Sequence, residues 1–269
     1  MLLPRTRFVL IETSHAGNVG AVARAMKVMG FDELVLVRPR WPNVLRRQEA
    51  IERASGATDV LARARCVATL DEALDGMTHL CATVMTPRDF GPPTRSPRAH
   101  FDLLLNKELL ALDGQAPEAD LVHESGLGVA LLFGSERYGM ANEDVYRCHV
   151  ALSIPTNPAY GSLNIAAAVQ LIAYDWRQAL DARAGGWGAQ APGGVSGHAP
   201  ADAAQLGAML AHWQQALVAV GFLDPATPRK LMPRLQQLFN RAQPSVEEIH
   251  ILRGIARAMQ DAAADPRKR

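Results

Sequence analysis

The chain has 269 residues, 48% of them hydrophobic, which is ample for a buried core and excludes disorder throughout. A net charge of +1 excludes a sequence-indifferent polyanion binder, whose overall charge would be strongly positive. Cys66, Cys81 and Cys148 form no close CxxC pair, so neither a disulfide framework nor a thiolate metal site is indicated, and no apolar run approaches the length of a membrane span. A soluble protein of the reducing cytoplasm is expected, with no membrane partner and no metal.

The first 180 residues alternate strand-like and helix-like runs, the pattern of a largely parallel sheet covered on both faces. Strands are predicted over 7–11, 33–37, 78–84, 129–133 and 150–154. Helices are predicted over 19–29 (stopped by Gly30 as its C′ residue), 48–55, 71–74, 101–110 and from Ser162 to about Ala182. Residues 185–200 are so rich in glycine and proline that they read as a linker. Beyond it, Leu206, Met209, Leu210, Trp213 and Leu217, then Leu231, Leu235, Leu238 and Phe239, then Ile249, Leu252, Ile255 and Met259 recur at helical spacing. The expected layout is an α/β domain over 1–182, a linker over 183–203 and a small helical domain over 204–262.

Three glycine-punctuated blocks stand after or beside the strands: Ser14-His15-Ala16-Gly17-Asn18-Val19-Gly20 through Arg24, Phe133-Gly134-Ser135-Glu136-Arg137-Tyr138-Gly139, and Ile154-Pro155 through Ser162-Leu163-Asn164. Loops at the carboxyl ends of parallel strands are where α/β proteins place ligands, so three of them suggest one composite site. The first block lacks the third glycine and the strand-terminal acid of a dinucleotide fingerprint, and the second does not supply the G-x-S-x-G of a serine nucleophile. Taken alone, Asn18 reads as an N-cap, Arg24 as a helix-surface arginine, Asn142 as the N-cap of a short helix, and Ser162 as the cap of the last α/β helix. Capping leaves Asn164 unexplained, because asparagine is a weak helix former inside a first turn. His15, His123 and His149 show no metal spacing. The stretches 38–65 (seven basic residues, three acidic) and 229–257 (six basic, two acidic) could contact phosphates, or could be ordinary solvated helix faces.

Taken in order, Asn18…Arg24, Gly134-x-Glu136-x-x-Gly139 and Ile154-Pro155…Ser162-Leu163-Asn164 resemble the three motifs of the SpoU class of ribose 2′-O-methyltransferases, in the SPOUT superfamily. Glu12-Thr13-Ser14-His15, Asn157-Pro158-Ala159-Tyr160, Leu238-Phe239-Asn240-Arg241-Ala242 and Ile251-Leu252-Arg253-Gly254-Ile255 extend the likeness, to tRNA-modifying members, over nearly the whole chain. The resemblance implies a trefoil-knotted, mostly parallel α/β sheet and a homodimer. It implies S-adenosyl-L-methionine as methyl donor and methylation of the ribose of cytidine or uridine at position 32 of the tRNA anticodon loop. Thr83, Val84, Met85, Gly134, Ile154, Gly161, Ser162 and Leu163 would cradle the donor, and Arg24, Asn18, Glu136, Ser162 and Asn164 would face the ribose. A guanidinium stays protonated in almost any environment, so Arg24 is expected to bind the target phosphate and polarise the hydroxyl rather than act as a base. The alternative is a knotted RNA-binding module without catalysis.

Overall fold

The computed structural model describes residues 4–106, 127–183, 201–226 and 230–264. In these, seven strands form one all-parallel sheet: β1 (Arg5–Ile11), β2 (Glu33–Val37), β3 (Arg65–Val67), β4 (His79–Thr83), β5 (Thr94–Arg95), β6 (Gly128–Phe133) and β7 (Val150–Leu152), in the order β3-β2-β1-β6-β4-β7-β5. Two late strands enter between earlier ones, β6 between β1 and β4, and β7 between β4 and β5. The carboxyl ends of β1, β6, β4 and β7 therefore lie side by side, and three of those strands lead into the glycine-punctuated blocks.

Both faces of the sheet are buried, which is why its strands read as unbroken apolar runs. Phe8 and Leu10 face a core with Val19, Val22, Met26, Phe101, Val169, Ile172 and Trp176, from α1 (Ala16–Val28), α5 (Pro97–Leu105) and α7 (Ile165–Arg183). On the other face Val9 and Ile11 meet Leu70, Ala73, Leu74 and Val145, from α4 (Leu70–Leu74) and α6 (Asn142–Tyr146). The helices α2 (Gln48–Ala54) and α3 (Thr58–Arg63) close the first core. Gly30, at φ +81°, takes the predicted C′ position, and the Phe31 amide reaches back to the Met26 carbonyl as a Schellman end requires.

Helix α1 opens at Ala16, three residues earlier than predicted, so Gly17 lies inside it and not in a turn before it, and Gly20 lies inside it as predicted. A Cβ on Gly20 would stand 2.0 Å from the Ala50 carbonyl oxygen, so this glycine allows α2 to cross α1 at backbone contact. Helix α7 opens at Ile165, three residues later than predicted.

The C-terminal region is helical: α8 (Ala203–Ala219), α9 (Leu231–Ala242) and α10 (Val246–Ala264) share a small core of Leu206, Met209, Leu210 and Ile249. It rests on the amino end of the sheet. Asp202 forms a capping box on α8 and accepts from the Gly76 amide, and the Asn240 amide donates to the Arg147 and Cys148 carbonyls at 3.0 Å each. The predicted linker at 185–200, Arg229 and His123 lie outside the described residues, as do positions 107–110 of the predicted 101–110 helix. No described helix is long and apolar enough to cross a membrane.

Candidate active site

The three sequence blocks meet through one chain of hydrogen bonds. After β6, the Ser135 and Gly139 backbones pair both ways at 2.9 Å, closing a turn that projects Glu136 toward the start of α1. A Cβ on Gly134 would lie 2.2 Å from the Gly139 carbonyl carbon, so only glycine permits this closure. The Glu136 carboxylate accepts from the Thr13 hydroxyl (2.9 Å), the Ser14 amide (2.9 Å), the Ser14 hydroxyl (3.0 Å) and the Asn18 side-chain amide (3.0 Å). Helix α1 has no acidic residue in its own first turn, and Glu136 supplies the carboxylate there from 118 residues away. Burial pushes the carboxyl upward, but the bonds from Asn18, from the Ser14 amide and from Thr13 outweigh it and hold the group at about 2.

Asn18 then turns its oxygen to the third block, accepting from the Asn164 side-chain amide at 3.1 Å. Asn164 in turn accepts from the Ala166 amide at 2.9 Å and so caps α7. This corrects three capping expectations. Asn18 does not cap α1, whose N-cap is His15, because its side chain bridges Glu136 and Asn164. Ser162 is exposed and has no hydrogen-bond partner among the described residues, the cap being Asn164. Asn142 is the first residue of α6 rather than its cap, which is Ala141.

Thr83, at the end of β4, keeps a buried hydroxyl without a partner. Val84, next to it, is buried and its amide bonds the Leu152 carbonyl, while Met85 is exposed; Ile154 leaves β7 half-buried, and Gly161 and Leu163 precede the α7 cap. Among these backbone-lined loops the orphaned Thr83 hydroxyl is a polar group awaiting a partner, as the wall of a small-molecule pocket would have. The residues present fit a donor held mainly by main-chain groups.

Arg24 is not part of this network. It lies six residues beyond Asn18, about 9 Å further along α1 at 1.5 Å per residue, exposed and without an ion pair among the described residues. The structure also reveals a cluster that linear spacing missed: buried His79, Cys81 and His100 place ligand-capable atoms within 4.8 Å of one another. It sits at the opposite end of the sheet, its His79 and His100 Nε2 atoms 2.9 Å apart, and only the fold brings it together.

Comparison with known proteins matches two segments of the chain. Residues 5–174 match the family model described as "SpoU rRNA Methylase family", and residues 204–268 match "tRNA methyltransferase TrmJ, C-terminal domain". The chain belongs to the SpoU methylase family. Within that family it is 40% identical to the tRNA (cytidine/uridine/adenosine-2′-O-)-methyltransferase TrmJ of Pseudomonas aeruginosa, over 97% of this chain and 96% of that protein. It is 38% identical to the tRNA (cytidine/uridine-2′-O-)-methyltransferase TrmJ of Escherichia coli K12, over 96% of each. The crystal structure of TrmJ from Z. mobilis ZM4 superposes with a TM-score of 0.72 at 29% identity, covering 96% of this chain and all of that one. The Glu136–Asn18–Asn164 network thus sits inside the SpoU methylase segment.

Proposed function

We propose that this SpoU methylase is an S-adenosyl-L-methionine-dependent tRNA 2′-O-methyltransferase acting on the ribose of cytidine or uridine at position 32 of the anticodon loop. The observation that carries the reading is the meeting of three distant sequence blocks in one bonded network, in a chain that matches TrmJ proteins end to end. Insertion of β6 and β7 between earlier strands supports a trefoil knot. The division proposed is a methyltransferase domain over 1–182, a linker over 183–203 and a tRNA-binding helical domain over 204–262, in a cytoplasmic homodimer.

The donor would lie against Thr83, Val84, Met85, Gly134, Ile154, Gly161, Ser162 and Leu163, and supplies an electrophilic methyl group on a sulfonium. Glu136 is no proton acceptor at neutral pH, since a carboxyl held at about 2 has too little affinity for a proton. Together with Asn18 and Asn164 it positions: the three lock α1, the β6 turn and the start of α7 into one wall. The free Ser162 hydroxyl orients the ribose hydroxyl. Arg24, remote from this wall in its own protomer, serves the partner's site, binding the target phosphate and polarising the hydroxyl. Exposed apolar residues on two adjacent helices support the dimer: Val28 on α1 is 65% exposed, and Leu171 and Tyr174 on α7 are each 43% exposed. Rate enhancement then comes chiefly from placement and from electrostatics around the hydroxyl.

Protomer mixing tests this arrangement. Arg24→Ala and Ser162→Ala proteins, each inactive alone in methyl transfer to unmodified tRNA, should regain about a quarter of wild-type activity when mixed, because half of the dimers then hold one intact site. No recovery on mixing, with mixed dimers shown to form, contradicts a shared site.

A further inference from the structure

The segment leaving β2 carries an exposed aromatic residue that the Glu136 network does not use. Trp41 is 38% exposed, with the Arg40 and Arg47 guanidinium carbons 5.1 and 4.6 Å from the centre of its ring. A single exposed aromatic is ordinary on a protein surface. Here the surroundings set it apart. Arg40, Arg46 and Arg47 make no ion pair among the described residues, so the patch keeps its positive charge.

The patch is also fixed to the candidate site. The Arg40 amide donates to the Thr13 carbonyl at 3.0 Å, and the Thr13 hydroxyl is one of the groups that hold Glu136. Alongside, Glu12 and Arg38 end β1 and β2 in left-handed backbone conformations (φ 54° and 45°) and pair at 3.1 Å, clasping the two strand ends together. The backbone that carries the indole is therefore tied to the loop that enters α1.

Resting on the tRNA methyltransferase reading, we propose that Arg40, Trp41 and Arg47 form a stacking platform for an unpaired nucleobase beside the target ribose, the guanidiniums meeting the neighbouring phosphates. Planar guanidinium and indole groups stack on any base, and unneutralised arginines suit the charge of the RNA backbone. A protein partner would need carboxylates matched to three separate cations, whereas an RNA backbone carries the opposite charge at every nucleotide. The base must be unpaired, because those within an A-form helix are already stacked on their neighbours, whereas an anticodon loop offers free ones.

The test measures binding of the full-length protein to an unmodified tRNA transcript and to a fully paired RNA duplex, with S-adenosyl-L-methionine affinity followed by calorimetry. Trp41→Ala should weaken tRNA binding roughly 5- to 100-fold while leaving the duplex and the donor unaffected, and Trp41→Phe should restore most of the loss. Arg47→Ala should lower the salt exponent of tRNA binding by ~0.7–0.9. Unchanged tRNA affinity in Trp41→Ala overturns the platform, as does equal loss for tRNA and duplex, or a parallel loss of donor affinity that would mark a merely structural indole. Methyl transfer by the wild type is read separately: its absence overturns the functional reading, while the affinity ratio decides the platform in either case.

Discussion

Replacing Glu136 by glutamine keeps its shape and removes its charge, and so isolates what the carboxylate does for the candidate site. The group is held at about 2 against an ordinary 4.5, a difference that corresponds to about 3.4 kcal/mol at 1.36 kcal/mol per pH unit. Solvent reaches the carboxylate, and screening reduces the net contribution to about 2 kcal/mol. A folded-state value depressed below the unfolded one adds stability that is fully present above pH 4.5 and is lost as the pH falls toward 2. Urea unfolding at pH 7 should therefore show Glu136→Gln to be less stable by about 2 kcal/mol, with the gap from wild type narrowing below pH 4.5. Because the glutamine amide would face the Thr13, Ser14 and Asn18 donors, the first turn of α1 shifts relative to α7, and methyl transfer should fall on the order of 100-fold. A stability difference under about 0.5 kcal/mol at pH 7, or transfer within a factor of two of wild type, would refute this reasoning.

Three further outcomes are expected. Asn164→Ala should cost about 1 kcal/mol for the lost α7 cap, whereas Asn164→Asp keeps the acceptor for the Ala166 amide but not the donor to Asn18; it should restore stability in thermal unfolding without restoring transfer. Gly20→Ala drives a Cβ to 2.0 Å from the Ala50 carbonyl and should destabilise by roughly 1–3 kcal/mol, and an unchanged melting temperature would contradict the backbone crossing. Burial, chiefly, keeps His79, His100 and His149 neutral, with His100 held at about 3 and His149 at about 4. Below pH 6.5 the unfolded chain takes up protons that these folded groups refuse, so denaturation should show stability falling as the pH falls, by about 2 kcal/mol at pH 5 for each of His100 and His149. Constant stability from pH 7 to 5 would contradict it.

How much could be read in the sequence depended on the range of the interactions. The central strands were legible because burial on both faces writes itself as unbroken apolar runs such as 129–133, and Gly30 announced the end of α1 by its own conformational freedom. The short edge strands β3 and β5 left no such trace: Arg65–Val67 is largely exposed, and Thr94–Arg95 is only two residues long. The candidate site showed itself as three blocks, but the role of each side chain was set by partners far along the chain. Asn18 looked like a cap until Glu136, 118 residues away, and Asn164, 146 residues away, claimed both ends of its amide. Likewise nothing near Gly20 in the sequence says why this position within a helix must lack a side chain, and only the arrival of α2 shows it. The His79, Cys81 and His100 cluster joins β4 to α5, so no spacing rule could have revealed it.

The most direct test is to incubate the purified protein with methyl-labelled S-adenosyl-L-methionine and an unmodified tRNA transcript, then digest the RNA and locate the label by mass spectrometry. The expected product carries one methyl group on the ribose 2′ oxygen of nucleotide 32. Label on a base, or tRNA left unmethylated by a folded protein that binds both the donor and the RNA, would contradict the assignment.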